Sequence, residues 1–226
     1  MTDTPQRLVI VGDSLFAEIA HEYFQYDSPY DVVAFSVERD YLKRKHFRGL
    51  PVVPFETLAH EFDPADCRVF VAITYLQLNR LRTRLTEAAR GSGFRLASYV
   101  SSQAFVWRNV ELGEHCFIFE DNTLQPFVRI GRNCVLWSGN HIGHHSTIGD
   151  NVFISSHVVI SGSVHIGDNC FLGVNSTLVN DITVGEDVWL GPNVVITRDV
   201  ESNTVWRPPR SERRAGSTRE LFGVGD

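Results

Sequence analysis

The sequence predicts two structures in tandem, an α/β domain of the Rossmann type followed by a left-handed parallel β-helix. Three observations support this fold class: strand and helix patterns alternate in the first half, an aliphatic residue recurs every six positions in the second, and glycine often follows it. The predicted division is 1–99 for the α/β domain, 100–201 for the β-helix and 202–226 for a C-terminal tail.

Alternating elements in the first half indicate a parallel sheet with helices packed on it. The predicted strands are 7–11, 31–36, 68–73 and 94–99, and the predicted helices are 15–23 and 78–88. Ligands of such sheets bind at the carboxyl ends of the strands. We therefore expect this edge to bind a substrate through Gly12, Asp13, Ser14 and Glu38.

The phosphate-loop pattern at this edge is weak. Gly12-Asp13-Ser14 has a single glycine and lacks the GxGxxG of a dinucleotide site, which argues against NAD. Asp13 would repel a phosphate, whereas the start of the following helix favours one. Two interpretations stay open for residues 1–99: a domain that binds a nucleotide-linked sugar, or a structural cap on the open end of the β-helix.

The six-residue period is unbroken over seventeen positions, which chance does not produce. These positions are Val100, Val106, Leu112, Ile118, Leu124, Ile130, Leu136, Ile142, Ile148, Ile154, Ile160, Ile166, Leu172, Leu178, Val184, Leu190 and Ile196. The period suits a solenoid of short parallel strands with one inward residue per side. Three hexads make a triangular coil of eighteen residues, and Cys116 and Cys134, eighteen apart, are expected to stack inside as small apolar fillers.

Composition restricts the partners and the compartment. A net charge of −6, from 27 acidic and 21 basic residues, gives no basic surplus for nucleic acid or an anionic membrane. The sequence contains no run of eighteen apolar residues, which a membrane-spanning helix would need. The four cysteines form no CxxC pair, so we expect reduced thiols in a cytoplasmic protein.

Histidines cluster in the repeat region. Four of the nine, His141, His144, His145 and His157, fall within seventeen residues. His144 and His145 occupy the third and fourth positions of their hexad, where side chains point outward or lie at a corner. Solvated surface imidazoles are the alternative, but two adjacent histidines on a regular repeat favour a functional role.

These motifs resemble those of the hexapeptide-repeat sugar acyltransferases, which include bacillosamine-type N-acetyltransferases and the sialic acid O-acetyltransferase-like group. Segment 142–149 (IGHHSTIG) matches the hexad that holds the family's base, and 162–167 (GSVHIG) matches its oxyanion segment. The resemblance implies that His144 is the base and that the Gly162 amide stabilises the oxyanion. It also implies a homotrimer that uses acetyl-CoA or another acyl-CoA, with sites between neighbouring β-helices.

The chain departs from the family pattern at several positions. His145 stands where members often have glutamate, and we keep it among the catalytic candidates. Trp137 replaces a polar substrate contact and is a candidate for stacking on the acceptor. His157 is expected to line the cofactor cleft, taking over from a histidine that Phe153 replaces.

The resemblance further implies cofactor contacts in later coils, which here suggests Gly173 and Gly191. Residues 207–219 hold five arginines against one glutamate, and this tail either contacts CoA phosphates or is simply solvated. No metal is expected.

Sequence reasoning thus favours an acyl-CoA-dependent N- or O-acyltransferase acting on a nucleotide-linked sugar for surface polysaccharide synthesis. Two other classes stay open. A γ-class carbonic anhydrase-like enzyme would bind zinc through clustered histidines at a trimer interface, and catalytic zinc needs three protein ligands. A non-catalytic trimeric scaffold is the second.

Overall fold

The computed structural model describes residues 5–224, and its first part is an α/β domain. Its elements are β1 Gln6–Val11, α1 Leu15–Tyr26, β2 Tyr30–Val37, β3 His46–Phe47, β4 Leu50–Pro54, α2 Leu58–Glu61, β5 Cys67–Val71, α3 Arg80–Gly91 and β6 Arg95–Leu96, with 3₁₀ turns at Arg39–Tyr41 and Phe55–Thr57. The sheet order is β3-β4-β2-β1-β5-β6, parallel except for β3 against β4. This confirms the Rossmann-type prediction.

The second part is the predicted β-helix, built from two-residue strands on three faces. The first face holds β7 Tyr99–Val100, β10 Phe117–Ile118, β13 Val135–Leu136, β16 Phe153–Ile154, β19 Phe171–Leu172, β22 Trp189–Leu190 and β24 Val205–Trp206. The second holds β8 Phe105–Val106, β11 Thr123–Leu124, β14 His141–Ile142, β17 Val159–Ile160, β20 Thr177–Leu178 and β23 Val195–Ile196. The third holds β9 Glu111–Leu112, β12 Arg129–Ile130, β15 Thr147–Ile148, β18 His165–Ile166 and β21 Thr183–Val184.

Two details differ from the sequence-based boundaries. Residues 94–99 do not form one strand, because β6 belongs to the α/β sheet and β7 already pairs with β10 on the β-helix. At the other end, β24 lies within the segment taken as a tail and pairs with β22. A short helix, α4 Thr218–Leu221, follows it.

The aliphatic series fills the interior of the coil as predicted. From Ile118 to Ile196 each member is at most 3% exposed, and Cys116, Cys134 and Cys170 are fully buried. The first three members, Val100, Val106 and Leu112, are partly exposed, Val100 to 37%, because their strands lie on the terminal coil and have a neighbour on one side only. The buried aliphatic side chains of all three faces form one cluster, which holds the faces together.

The glycines that follow the aliphatic residues are required by coil stacking rather than by a bend. None of the repeat glycines in this position has a positive φ. A Cβ at Gly173 would lie 2.6 Å from the carbonyl carbon of Gly191, one coil further on. Adjacent coils approach so closely at these turns that a side chain has no room.

The N-terminal domain covers the first face of the β-helix with aromatic side chains. Phe24 of α1 lies edge-on to Phe117 at 5.5 Å between ring centroids, and Phe16 does so at 5.8 Å. Phe70 at the end of β5 completes the contact at 5.2 Å from Phe117. This continuous apolar interface fixes the sheet's ligand edge relative to the β-helix.

A buried polar seam joins the two parts beside the aromatic cluster. The fully buried Arg82 of α3 donates to the Asn133 side-chain oxygen (3.0 Å) and backbone oxygen (2.7 Å). His115 accepts the Val71 N–H at Nε2 (2.9 Å) and donates from Nδ1 to the same Asn133 oxygen (2.7 Å). His115 is therefore neutral, and burial lowers its pKa from 6.5 to about 3.

A neutral buried histidine makes the stability depend on pH. The unfolded chain takes up a proton on His115 below pH 6.5, whereas the folded chain does so only near pH 3, so stability is lost as pH falls between these values. We expect this residue alone to lower the free energy of unfolding by about 2 kcal/mol between pH 7 and pH 5. Denaturant titrations at both pH values measure it. His115→Gln should lose this pH-dependent part, and an unchanged pH dependence would contradict the assignment.

Candidate functional site

We call the border between the first and second faces of the prism its first edge, and the border between the second and third faces its second edge. His144 lies at the second edge, in the turn between β14 and β15. Its backbone N–H donates to the Gln125 side-chain oxygen of the preceding coil (2.9 Å), and its carbonyl accepts the Ser163 N–H (2.8 Å). Its imidazole lies against Gly162, where a Cβ would be 2.5 Å from Cε1 and 2.7 Å from Nε2 of the ring. The eighteen-residue coil thus brings together the two residues that the resemblance pairs.

His145 contacts His144 directly. The two Nδ1 atoms are 3.1 Å apart, so one ring donates and the other accepts. His145 also stacks on Phe127 at 4.6 Å between centroids, which restricts its ring. When His144 is the donor, its Nε2 carries the free lone pair.

The Gly162 amide is available to a ligand. Within residues 5–224 its N–H donates to no protein acceptor, while its carbonyl accepts the Asp181 N–H at 3.1 Å. Since Gly162 has no side chain, nothing of its own covers this N–H. The arrangement therefore places an imidazole and an unused backbone donor side by side on an exposed edge.

The cofactor candidates gather at a different edge, between the first and second faces. His157 lies in the turn after β16, with its ring against Gly139. Gly173 and Gly191 occupy the equivalent turns of the next two coils and stack on each other. His157 and His144 are therefore on different edges of one chain, and His141 lies on the second face between them.

Backbone conformation explains part of the histidine cluster. His145 and His157 both have φ of 59°, as does the structural His115. Asparagine, aspartate and histidine are enriched in this left-handed region, and most other turns of the prism have asparagine or aspartate there. His144 does not have a positive φ, so backbone conformation does not explain why this position is histidine. It is therefore the member of the cluster that most favours a functional role.

The predicted substrate-binding residues lie together at the ligand edge of the α/β sheet, and two of them are in ion pairs. Asp13 accepts from Arg44 Nε at 3.1 Å, and Glu38 forms a two-point contact with Arg84 at 2.8 and 2.9 Å. The Arg84 contact lowers the pKa of Glu38. Ser14 begins α1 without a capping bond from its side chain.

Gly12 has a structural reason to be glycine. Its φ is 122°, and a Cβ there would lie 2.9 Å from the Ala72 carbonyl oxygen of the neighbouring strand end. The residue therefore permits close approach of two backbone segments at the sheet edge. Its presence does not by itself indicate a phosphate site.

A loop after β5 connects this edge with the β-helix and was missed by sequence reasoning. Gln77, Leu78 and Asn79 are three consecutive residues with positive φ, a strained conformation without a glycine to signal it. Tyr75 of this loop packs 4.6 Å from Phe171. A cavity of about 210 Å³ lies beneath it, lined by Thr74, Tyr75, Trp137, Phe153, Ser155, Ser156 and Val174.

The Trp137 ring packs against more side chains than the sequence suggests. Its indole stacks on Phe119 at 4.6 Å and lies 6.0 Å from Phe16, and its Nε1 is buried without a partner among residues 5–224. The rest of the ring lines the 210 Å³ cavity next to Ser155 and Ser156. Its role as an acceptor contact stays a prediction.

No group of three or more His, Cys, Asp or Glu side chains among residues 5–224 is arranged to share a metal ion. No helix there has the length and apolar character to cross a bilayer. The arginine-rich tail is exposed, and α4 is capped by a reciprocal pair of bonds between Ser217 and Glu220.

Comparison with known families gives matches in the β-helix. The model of the bacterial transferase hexapeptide (six repeats) matches residues 127–162 and 145–180, and that of the hexapeptide repeat of succinyl-transferase matches 163–198. Residues 127–198 thus consist of hexapeptide repeats similar to those of bacterial transferases. The matched repeats contain His144, His145, Gly162 and His157. A comparison with curated proteins finds no match.

Several solved structures share both parts of the fold. PerB from Caulobacter crescentus, solved with CoA and GDP-perosamine, is 26% identical over 88% of this chain and 92% of its own, with a TM-score of 0.77. The acetyltransferase domain of PglB from Neisseria gonorrhoeae is 22% identical over 88% and 95%, with a TM-score of 0.79. WeeI from Acinetobacter baumannii is 21% identical over 88% and 94%, with a TM-score of 0.70.

The contact between His144 and Gly162 makes a direct prediction. In Gly162→Ala the new methyl group would overlap the imidazole, so the ring must move away while the interior column is untouched. A crystal structure of the variant should show His144 displaced by about 1 Å or more, as van der Waals contact demands. Gly91→Ala, with nothing within 4 Å of the new Cβ, is the control and should leave the ring in place. An unmoved His144 in Gly162→Ala would show that the contact is misassigned.

Proposed function

We propose that this chain transfers an acyl group, most simply acetyl, from acyl-CoA to an amino or hydroxyl group of a nucleotide-linked sugar. The observation that supports this best is the exposed imidazole of His144 beside the unused N–H of Gly162. PerB, a relative with CoA and GDP-perosamine bound, shares the fold over 88% of this chain. Surface polysaccharide synthesis in the cytoplasm is the setting we propose.

The two groups fit the chemistry of thioester aminolysis or alcoholysis. His144 Nε2 removes a proton from the acceptor amine or hydroxyl as that atom attacks the thioester carbonyl. The Gly162 N–H donates to the carbonyl oxygen as it becomes an oxyanion. Collapse of the tetrahedral intermediate breaks the C–S bond, and the CoA thiolate leaves and recovers the proton from the imidazolium.

His145 orients the base in this proposal. With its Nδ1 accepting from His144 Nδ1–H, the His144 tautomer is fixed so that Nε2 faces the acceptor. Stacking on Phe127 holds His145 in turn. A neutral imidazole therefore fills the orienting position that the resemblance assigns to glutamate.

The active site is completed by a second copy of the chain in a homotrimer. The second face presents exposed apolar side chains, among them Phe105, Val159 and Val195, the last 65% exposed. When three such faces meet around an axis, the first edge of one copy lies beside the second edge of the next. His157, Gly173 and Gly191 then line the acyl-CoA cleft opposite the neighbour's His144.

The acceptor site combines the α/β domain with the cavity under the loop after β5. In this proposal residues 1–99 bind the nucleotide-linked sugar at the edge that holds Gly12–Ser14 and Glu38. Trp137 and the 210 Å³ cavity lie where that edge meets the β-helix, so the sugar would extend toward the first edge. Residues 100–201 carry the transfer chemistry.

Replacing the base tests the proposed function. His144→Asn keeps a polar side chain of similar size but cannot accept the proton, so kcat should fall by about 100-fold or more, the usual scale of general-base removal. The assay follows CoA release from acetyl-CoA with 4-amino-sugar nucleotides as acceptors. His60→Asn, at an exposed position on α2 of the α/β domain, is the matched control and should keep activity. Full activity of His144→Asn would overturn the proposal.

The trimer is tested through the second face. Val159→Asp places a carboxylate in the proposed apolar contact, where burying a charge is costly, and should give monomers in analytical ultracentrifugation and lose transfer activity. Thr183→Asp makes the equivalent change on the third face, at an exposed position. That control should remain trimeric. A trimeric Val159→Asp protein would place the interface elsewhere.

A further inference from the structure

Positive charge is concentrated at the end of the described chain, where the proposed function makes no use of it. This basic tail, residues 207–224, holds five of the 21 basic residues of the chain and only two of the 27 acidic ones. Its net charge is therefore +3, and the rest of the chain carries −9. The overall charge of −6, which argues against an anionic membrane as a partner, thus describes the rest of the chain and not the tail.

The basic tail begins where the β-helix ends. β24 pairs with β22 on the last coil, and Pro208 and Pro209 follow almost directly. Because proline has no backbone N–H, these residues do not extend the pairing. From Ser217 onward the backbone bonds of the tail join its own residues, as in the bond from the Leu221 N–H to the Ser217 oxygen at 3.1 Å. Every residue of the tail except Pro208 is exposed, so the tail projects from the C-terminal end of the prism.

Four arginines of the basic tail have no counter-ion in the described chain. Arg207, Arg210, Arg213 and Arg214 form no ion pair with residues 5–224. A guanidinium group keeps its charge throughout the physiological pH range. This charge is therefore available to an anionic partner.

Exposed apolar side chains lie at the end of the same tail. Phe222 is 73% exposed, Val224 54% and Leu221 52%. A soluble phosphate ligand such as CoA would leave these side chains in water. The interface of a bilayer, by contrast, takes up apolar and aromatic side chains beside its charged headgroups. Arginine and exposed apolar side chains in one short segment therefore favour a membrane surface.

We propose that the basic tail binds the surface of an anionic phospholipid bilayer. The arginines contact lipid phosphates, while Leu221 and Phe222 enter the boundary between headgroups and acyl chains. Stable peripheral binding needs two such contributions, here one electrostatic and one apolar. In the proposed trimer, rotation about one axis places three tails at the same end of the assembly, and binding of one tail favours binding of the others. Only this gain from three tails rests on the proposed function.

The test is sedimentation of the full chain with vesicles of phosphatidylcholine, alone or mixed with phosphatidylglycerol. The chain should bind the mixed vesicles, more weakly at high salt, and should stay in solution with phosphatidylcholine alone. The triple variant Arg210→Gln/Arg213→Gln/Arg214→Gln should bind the mixed vesicles more weakly by about tenfold or more, as expected from the loss of three basic side chains at such a surface.

Two further variants separate the apolar contribution and the position of the charges. Phe222→Ser keeps every charge and should still bind the mixed vesicles several-fold more weakly. Lys43→Gln/Lys45→Gln/Arg95→Gln removes three exposed charges from the α/β domain and is the matched control, which should bind like the unmodified chain. Because all these positions are exposed, the variants should unfold at the same temperature as the unmodified chain.

Several outcomes would overturn the proposal. It fails if the chain does not bind the mixed vesicles, if the control loses as much binding as the triple variant, or if Phe222→Ser binds unchanged. In calorimetric titration with CoA, weaker binding by the triple variant together with unchanged vesicle binding would overturn it and assign the arginines to CoA phosphates. Binding of a short RNA without binding of vesicles would overturn it in favour of nucleic acid.

Transfer activity does not enter this test. Vesicle binding with the expected pattern, together with full activity of His144→Asn, would overturn the proposed function and leave this inference standing. Loss of activity in His144→Asn without any vesicle binding would have the opposite result.

Discussion

The close stacking of successive coils is the constraint on which the candidate site depends. At the turns that contain Gly113, Gly131, Gly143 or Gly173, backbone atoms of the next coil lie so close that a side chain has no room. The same spacing brings residue n beside residue n+18, as the pairing of His141 with Val159 shows. His144 therefore meets Gly162 because of the coil length, and the interior column of aliphatic side chains fixes that length.

This dependence explains why much of the architecture was predictable. A six-residue period can be read from nearby positions in the sequence. It therefore predicts that Ile142, Ile148 and Ile154 point inward without any knowledge of long-range contacts. The pairing of His144 with Gly162 follows from the same count. The strands of the α/β sheet were equally accessible, since β1, β2 and β5 are apolar runs between turn residues.

What sequence reasoning missed lies where local pattern carries no information. Gln77, Leu78 and Asn79 adopt left-handed conformations because tertiary contacts hold them, among them the bond from Asn79 Nδ2 to the Cys170 carbonyl. The pairing of Asp13 with Arg44 joins residues from different loops, and nothing adjacent to either predicts it. The sequence suggested that the Trp137 ring is free to stack on a ligand, yet Phe119 stacks on it and Phe16 of α1 lies 6.0 Å from it.

The distribution of side chains over the three faces of the prism is the basis of the proposed trimer. The α/β domain occupies the first face through Phe16, Phe24 and Phe70, so the second and third faces remain for other contacts. The third face carries charged side chains such as Glu111 and Arg129, which are stable in water, whereas the second carries Val159 and Val195. Because His144 lies on one border of the second face and His157, Gly173 and Gly191 lie on the other, the proposed trimer would both bury the apolar side chains of that face and bring these two sets of residues together.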